Sequence, residues 1–153
     1  FNHGTRFDVY LPRLHAAAPP EPAPSPPPVG NQQTILVCED EETIRNLVVE
    51  VLSRHGYRVH TTPSSREALQ MGQQLGDTLD LLLTDVIMPA LTGPQLATAL
   101  KSQFPKLKVL YMSGYTGGLL QDLGIEESGA GLLSKPFNAA ELLRRVAAHL
   151  ASG

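Results

Sequence analysis

Two neighbouring carboxylates, Glu39 and Asp40, follow the apolar run Ile35-Leu36-Val37-Cys38, and a third, Asp85, follows Leu81-Leu82-Leu83-Thr84. An ammonium, Lys135, follows Leu132-Leu133-Ser134, and a hydroxyl, Ser113, closes the run that ends Tyr111-Met112. Singly, each has a plain reading: Asp40 as a helix cap, Ser113-Gly114 as a turn, Lys135 as a solvated charge. Together they stand at the ends of four apolar runs. Like carboxylates gather only where something positive neutralises them, and a divalent cation is the natural candidate. Three carboxylates and one ammonium suit metal-assisted phosphoryl chemistry.

The elements that must carry these residues alternate five times between strand and helix. Strands are expected at Thr34–Cys38, Tyr57–Thr61, Asp80–Thr84, Lys108–Met112 and Gly131–Ser134. The first, third and fourth are nearly continuous apolar runs, as parallel strands covered on both faces require. A first helix from Glu41 to His55 carries the stripe Ile44, Leu47, Val48, Val51 and Leu52, with Gly56 as its C-cap. A second begins at the capping box Ser64-Ser65-Arg66-Glu67, and a fifth at Asn138-Ala139-Ala140-Glu141. A third follows Gly93-Pro94 and ends near Phe104-Pro105. A fourth, around 118–123, lies among glycines. Five such units predict an α/β fold, a doubly wound parallel sheet whose site lies beyond the carboxyl ends of the strands where strand order reverses. Glu39, Asp40, Asp85, Ser113 and Lys135 all belong to that edge.

Composition narrows the possibilities. The 153 residues, 42% of them hydrophobic and 18% charged, suffice for one domain with a core and something short besides. A net charge of −3 provides no electrostatic reason to expect nucleic acid or contact with an anionic membrane. The one cysteine, Cys38, lies inside an apolar run and reads as a small buried hydrophobe in a reducing, cytoplasmic setting. No run approaches the ~18 apolar residues of a membrane span, although a parent protein can be anchored elsewhere. Seven of the ten residues from Pro19 to Pro28 are proline, which excludes helix and central strand. Residues 16–33 therefore read as a semi-rigid linker, at roughly 3.1 Å per residue if polyproline II. A proline-rich docking ligand is the other reading. The chain opens on Phe1 and is expected to be a fragment.

From Gln33 to Leu150 the chain resembles the receiver domain of two-component response regulators. The resemblance rests on Leu36-Val37-Cys38-Glu39-Asp40-Glu41, the stretch Leu83-Thr84-Asp85-Val86-Ile87-Met88-Pro89-Ala90-Leu91-Thr92-Gly93, Tyr111-Met112-Ser113-Gly114-Tyr115, and Lys135-Pro136-Phe137. It implies a flavodoxin-like sheet of order 2-1-3-4-5 with five helices, over residues 34–153. It implies that Asp85 is the phosphoacceptor, that Glu39, Asp40, Asp85 and the backbone carbonyl of Ile87 hold Mg²⁺, and that Ser113 and Lys135 contact the phosphoryl oxygens. The only catalysis implied is of the domain's own phosphorylation and dephosphorylation. Pro136 is expected to follow a cis bond, as is common in the family.

Three departures from the family pattern carry consequences. Glu39 replaces the usual aspartate, so Mg²⁺ is expected to bind through a water or more weakly. Leu132 replaces an aromatic that in many members swings inward, which leaves that switch an open question here, with Tyr115 a partial substitute. Ile87 and Tyr115 flank the path of an attacking water and neither is a base, which predicts slow loss of the phosphoryl group. Residues 1–15, with Gly4-Thr5-Arg6-Phe7 and Leu11-Pro12, resemble the last strand of a histidine-kinase ATP-binding domain. The order suggests the carboxyl end of a hybrid sensor histidine kinase, its remnant unable to bind ATP by itself.

With only Ala151-Ser152-Gly153 beyond the fifth helix, output is expected to be phosphotransfer or control of the attached kinase. The five histidines are scattered and read as surface residues, so the donor is a kinase phosphohistidine, in cis or in trans. A histidine phosphotransfer protein is a further expected partner. Thr43, Arg45 and Asn46 on the first helix form the expected docking rim. Two other classes compete with this reading. A haloacid-dehalogenase-type phosphatase needs an acid two residues after its nucleophile, where Ile87 stands, and a docking module that is never phosphorylated has no need of Mg²⁺.

Overall fold

Alternating side chains on five short parallel strands divide the protein into two apolar layers. The computed structural model describes residues 30–114, 120, 125 and 131–151. Its elements are β1 (Thr34–Cys38), α1 (Glu42–Arg54), β2 (Arg58–Thr62), α2 (Ser65–Leu75), a 3-10 turn (Gly76–Thr78), β3 (Leu79–Asp85), α3 (Gly93–Lys101), β4 (Lys108–Ser113), β5 (Leu132–Ser134) and α4 (Ala139–Ala151). The strands form one parallel sheet in the order β2-β1-β3-β4-β5, the doubly wound topology expected. From β1 the chain winds outward to β2 and then crosses back to β3, so strand order reverses between β1 and β3. That crevice is the ligand position of such sheets.

Ile35 and Val37 of β1, Leu81 and Leu83 of β3, Leu110 and Met112 of β4 and Leu133 of β5 face one layer, closed by Val48, Val51 and Leu52 of α1 and Leu142, Leu143 and Val146 of α4. Leu36 and Cys38, Leu82 and Val109 face the other, closed by Ala68 of α2 and by Leu96, Ala97 and Leu100 of α3. Asp80 is the extra residue where the β1–β3 register shifts, and its carboxylate accepts the Thr34 N–H at 2.7 Å. Gly72 faces Leu100 so closely that a Cβ would strike its methyls, which lets α2 and α3 approach.

Helix ends follow local chemistry. Gly56, at φ 86°, takes the left-handed position just after the His55 cap of α1. Ser64 caps α2 by accepting the Glu67 N–H, but the reciprocal half of the expected capping box is absent. Glu67 instead accepts from the Thr62 hydroxyl, which also accepts the Ser64 N–H. A complete box, Thr92 with Gln95, opens α3, where the sequence pointed only to Gly93-Pro94. Asn138 caps α4 through the Glu141 N–H at 2.9 Å.

Several expectations are corrected. α3 stops at Lys101, before Phe104, because a turn through Ser102 and Gln103 intervenes ahead of Pro105. Leu47 of the α1 stripe is 44% exposed, since the layer below is filled by Val48, Val51 and Leu52. His60 is exposed as expected, but His55 and His149 are half-buried, and His55 Nδ1 lies 2.7 Å from the Val51 carbonyl. Four α-helices stand among the described residues. The expected fourth of five, at 118–123, falls outside them except for Leu120, which is helical and buried. Residues 1–15 and nearly all of the linker also lie outside. Among the described residues no helix is long and apolar enough to cross a membrane.

Candidate functional site

The reversal crevice is an open cleft of about 400 Å³ lined by Glu39, Asp40, Glu41, Ile44, Asp85, Ile87, Gly114 and Lys135. Glu39 and Asp40 are the first residues beyond β1, and Asp85 is the last residue of β3. Arg45 of α1 fixes the turn after β1, its guanidinium donating to the carbonyls of Glu39 at 2.8 Å and Asp40 at 3.2 Å. Arg45 is therefore half-buried and committed, not part of a free docking rim, whereas Thr43 and Asn46 are exposed. Asp40 is not the cap of α1 either: Glu41 occupies that position and makes no side-chain capping bond.

The loop after Asp85 is fastened at several points. Val86 N–H donates to Met112 O and Gly93 N–H donates to Val86 O, at 3.0 and 2.9 Å. Gly93 is packed against the Asp85 carbonyl so tightly that a Cβ would collide with it. Ser65, fully buried at the start of α2, donates to Pro89 O at 3.0 Å and accepts the Leu91 N–H at 3.1 Å. Ala90 adopts φ 73°, a left-handed conformation unusual for a residue with a Cβ. Sequence reasoning missed Ser65, because neighbouring Ser64 carries the capping signature and nothing local reports a partner 24 residues away.

Lys135 joins the acids. Its Nζ donates to Glu39 Oε2 at 2.8 Å and to Asp85 Oδ2 at 2.9 Å, with all three side chains less than one-fifth exposed. The Lys135 N–H donates to Ser113 O at 2.7 Å, and the Lys135-Pro136 bond is cis, as expected. Burial opposes the charge on Lys135, but the bonds to Glu39 and Asp85 outweigh it and hold the ammonium pKa above its ordinary value. Burial lifts the Glu39 carboxyl above the usual carboxylate range in spite of the lysine.

Carboxylate oxygens of Glu39, Asp40 and Asp85 lie within 4.8 Å of one another. Glu39 is 1% exposed, and its Oε1 has no hydrogen-bond partner among the described residues. An orphaned, buried carboxylate oxygen beside two further carboxylates is a donor set that fits a hard divalent cation with oxygen ligands. Asp85 Oδ1 accepts the Ile87 N–H at a long 3.4 Å, and Ile87 itself is 39% exposed at the cleft. Ser113 is buried at the end of β4, one residue before the cleft-lining Gly114, and is not itself a lining residue. Leu132 is 3% exposed and packs with Val86, Leu120 and Ile125, with Tyr111 against them; Tyr115 lies outside the described residues.

A family model described as response regulator receiver domain matches residues 35–147. The chain is similar to sensor kinase CckA of Brucella abortus (strain 2308), with 32% identity over 152 residues, 94% of this chain and 16% of that protein. It thus spans a small part of that relative's length. Among solved structures it is similar to the receiver domain of the hybrid histidine kinase CckA, with a TM-score of 0.65, 32% identity and coverage of 76% of this chain and 98% of that one. It is also similar to the chemotaxis response regulator CheY4 of Vibrio cholerae, with a TM-score of 0.68, 30% identity and coverage of 77% and 98%.

Proposed function

This chain belongs to the response regulator receiver family of two-component signalling, and we propose that Asp85 accepts a phosphoryl group from a phosphohistidine. Glu39, Asp40, Asp85 and the Ile87 carbonyl would hold Mg²⁺. When bound, that ion supplies positive charge to the crowded carboxylates and to the phosphoryl oxygens. The Asp85 carboxylate forms a bond to phosphorus as the bond to the donor's imidazole nitrogen breaks, which leaves an aspartyl phosphate and a free imidazole. Lys135, already within hydrogen-bond reach of Asp85, stabilises charge on the transferring group, and the Ser113 hydroxyl, buried at the end of β4 beside the cleft, would have to turn into it to make the second contact. Ile87 offers no base to an attacking water, which favours a long-lived phosphoryl group.

The observation that carries the proposal is the Lys135 ammonium bridging Glu39 and Asp85 beside Asp40, at the strand-order reversal. We further propose that residues 34–153 are the receiver, 16–33 a linker and 1–15 the end of a kinase ATP-binding domain. Similarity to sensor kinase CckA over 94% of this chain supports this, since residues 34–153 alone cannot supply that share. The phosphodonor would then be a kinase histidine in cis or in trans, with a histidine phosphotransfer protein as onward acceptor.

Intact mass after incubation with Mg²⁺ and a small acyl phosphate tests the proposal. The expected result is a gain of one phosphoryl group that is lost in Asp85→Asn and in chelator. A gain that persists in Asp85→Asn would overturn the assignment. No gain in a folded, Mg²⁺-binding sample would point to a strict requirement for a protein donor.

A further inference from the structure

The loop after Asp85 contains a strained turn braced by one hydroxyl. Ala90 sits at φ 73°, and the Leu91 N–H donates back to Pro89 O at 3.1 Å, which closes a three-residue γ-turn of the rare form with a positive central φ. Ala90 is exposed, so its own side chain does not impose that conformation. Ser65 does. Fully buried at the first position of α2, its Oγ donates to Pro89 O at 3.0 Å and accepts the same Leu91 N–H at 3.1 Å, bracing both ends of the turn. A non-glycine residue keeps such a conformation only where its surroundings over-determine it. Downstream the chain is already committed, with Gly93 N–H on Val86 O at 2.9 Å and the Thr92 capping box opening α3. A change of φ at Ala90 must therefore be absorbed upstream, in Ile87, Met88 and Pro89. Met88 is 7% exposed and packs against Cys38 of β1, which leaves the exposed Ile87, two residues from Asp85, as the one most free to move.

We infer that Ser65 is a positioning residue for the cation site: by holding the Ala90 turn from the start of α2, its hydroxyl fixes the direction of the Ile87 carbonyl relative to the Asp85 carboxylate. Ser65 is not among the residues lining the cleft and acts only through the loop. The inference rests on the proposed reading of the Ile87 carbonyl as a cation ligand, and it makes the seating of α2 against this loop a determinant of cation affinity.

Two readouts test it in the full chain, in Ser65→Ala, in Ala90→Val and in the double variant Ser65→Ala with Ala90→Gly. In metal-free protein, amide hydrogen exchange at Leu91 should be roughly tenfold faster in Ser65→Ala, since that N–H loses one of its two acceptors. In calorimetric titration with Mg²⁺ alone, Ser65→Ala should bind roughly fivefold more weakly, the worth of one net hydrogen bond. Ala90→Val should also bind more weakly, because a branched side chain disfavours positive φ. The double variant should regain most of the lost affinity, because glycine takes the left-handed turn without the brace. A merely structural role for Ser65 would give no such rescue. Unchanged Leu91 exchange or unchanged Mg²⁺ affinity in a cooperatively folded Ser65→Ala overturns the inference, as does a double variant that binds as weakly as Ser65→Ala. Should Ser65→Ala fail to fold, Ala90→Val decides, and affinity equal to that of the unsubstituted chain overturns the inference. Absence of binding heat in the unsubstituted chain itself overturns the reading of the cleft as a cation site and the inference with it, so the two failures are told apart.

Discussion

Cys38 adjoins the acidic cluster and is inert for reasons the cluster itself supplies. It is fully buried, its Sγ lies 3.4 Å from Met88 Sδ, and burial, followed by the charges of Glu39 and Asp40, pushes its thiol pKa up to about 12. A thiolate is the reactive form, so a thiol reagent at neutral pH should leave the folded chain unmodified. Labelling should appear with the same denaturant midpoint as the loss of helical circular dichroism; labelling well below that midpoint would show that β1 opens locally. Ile87 is the opposite case, a large apolar side chain 39% exposed at the mouth of the cleft. Replacing it by asparagine opens the approach to Asp85 and adds a polar group able to orient water. The phosphoryl group of Ile87→Asn should decay at least severalfold faster, as followed by intact mass after the donor is removed. An unchanged lifetime would locate the barrier to hydrolysis elsewhere.

At the scale of elements, packing decides between residues that periodicity treats alike. Leu47 and Leu52 share the apolar stripe of α1, yet Leu47 is 44% exposed and Leu52 is fully buried. Leu52→Ala should cost about 2–5 kcal/mol in urea unfolding, and Leu47→Ala no more than about 0.5 kcal/mol. A stripe reports which side of a helix is apolar but not where its contact with the sheet stops, which is why Leu47 was misassigned. The strands were legible because buried parallel strands must be almost wholly apolar, so their ends, and Glu39, Asp40 and Asp85 with them, stand out in the sequence. The bond from Lys135 to Glu39 was not, because it spans 96 positions and depends on how two strand ends sit across the sheet. The loop after β3 is intermediate. Gly93-Pro94 is legible as the approach to a helix, but the tightness of Gly93 against the Asp85 carbonyl needed the structure. Backbone cannot yield as a side-chain tip can, so Gly93→Ala should destabilise by about 1–3 kcal/mol. It should also weaken Mg²⁺ binding, since the displaced carbonyl belongs to Asp85; an equally stable variant would show that the loop relaxes freely.

On the scale of the whole molecule, every core residue among those described lies between Ile35 and Leu150. Ahead of β1, Gly30 N–H donates to His55 O at 2.7 Å, Gln32 N–H to Gly56 O at 3.0 Å, and Arg58 to the Gln32 side chain at 2.6 Å. Gly30 also lies so close to the Tyr57 ring that a Cβ there would overlap it. These contacts belong to the turn between α1 and β2, at the edge of the sheet away from Asp85, and they are complete once residue 30 is present. A chain beginning at Gly30 should therefore keep the unfolding midpoint and the denaturant slope of the full chain, because it retains every core residue described. It should also keep Mg²⁺-dependent phosphorylation of Asp85 by a small donor. Gly30→Val in the same truncated chain should lower the midpoint, because the branched side chain meets the Tyr57 ring. A truncation that loses a large part of the slope would instead assign residues 1–29 to the cooperative unit and move the boundary upstream. Unchanged slope and unchanged phosphorylation together would establish that the receiver folds and reacts as a unit whose link to the preceding segment is mechanical, made at the edge remote from its chemistry.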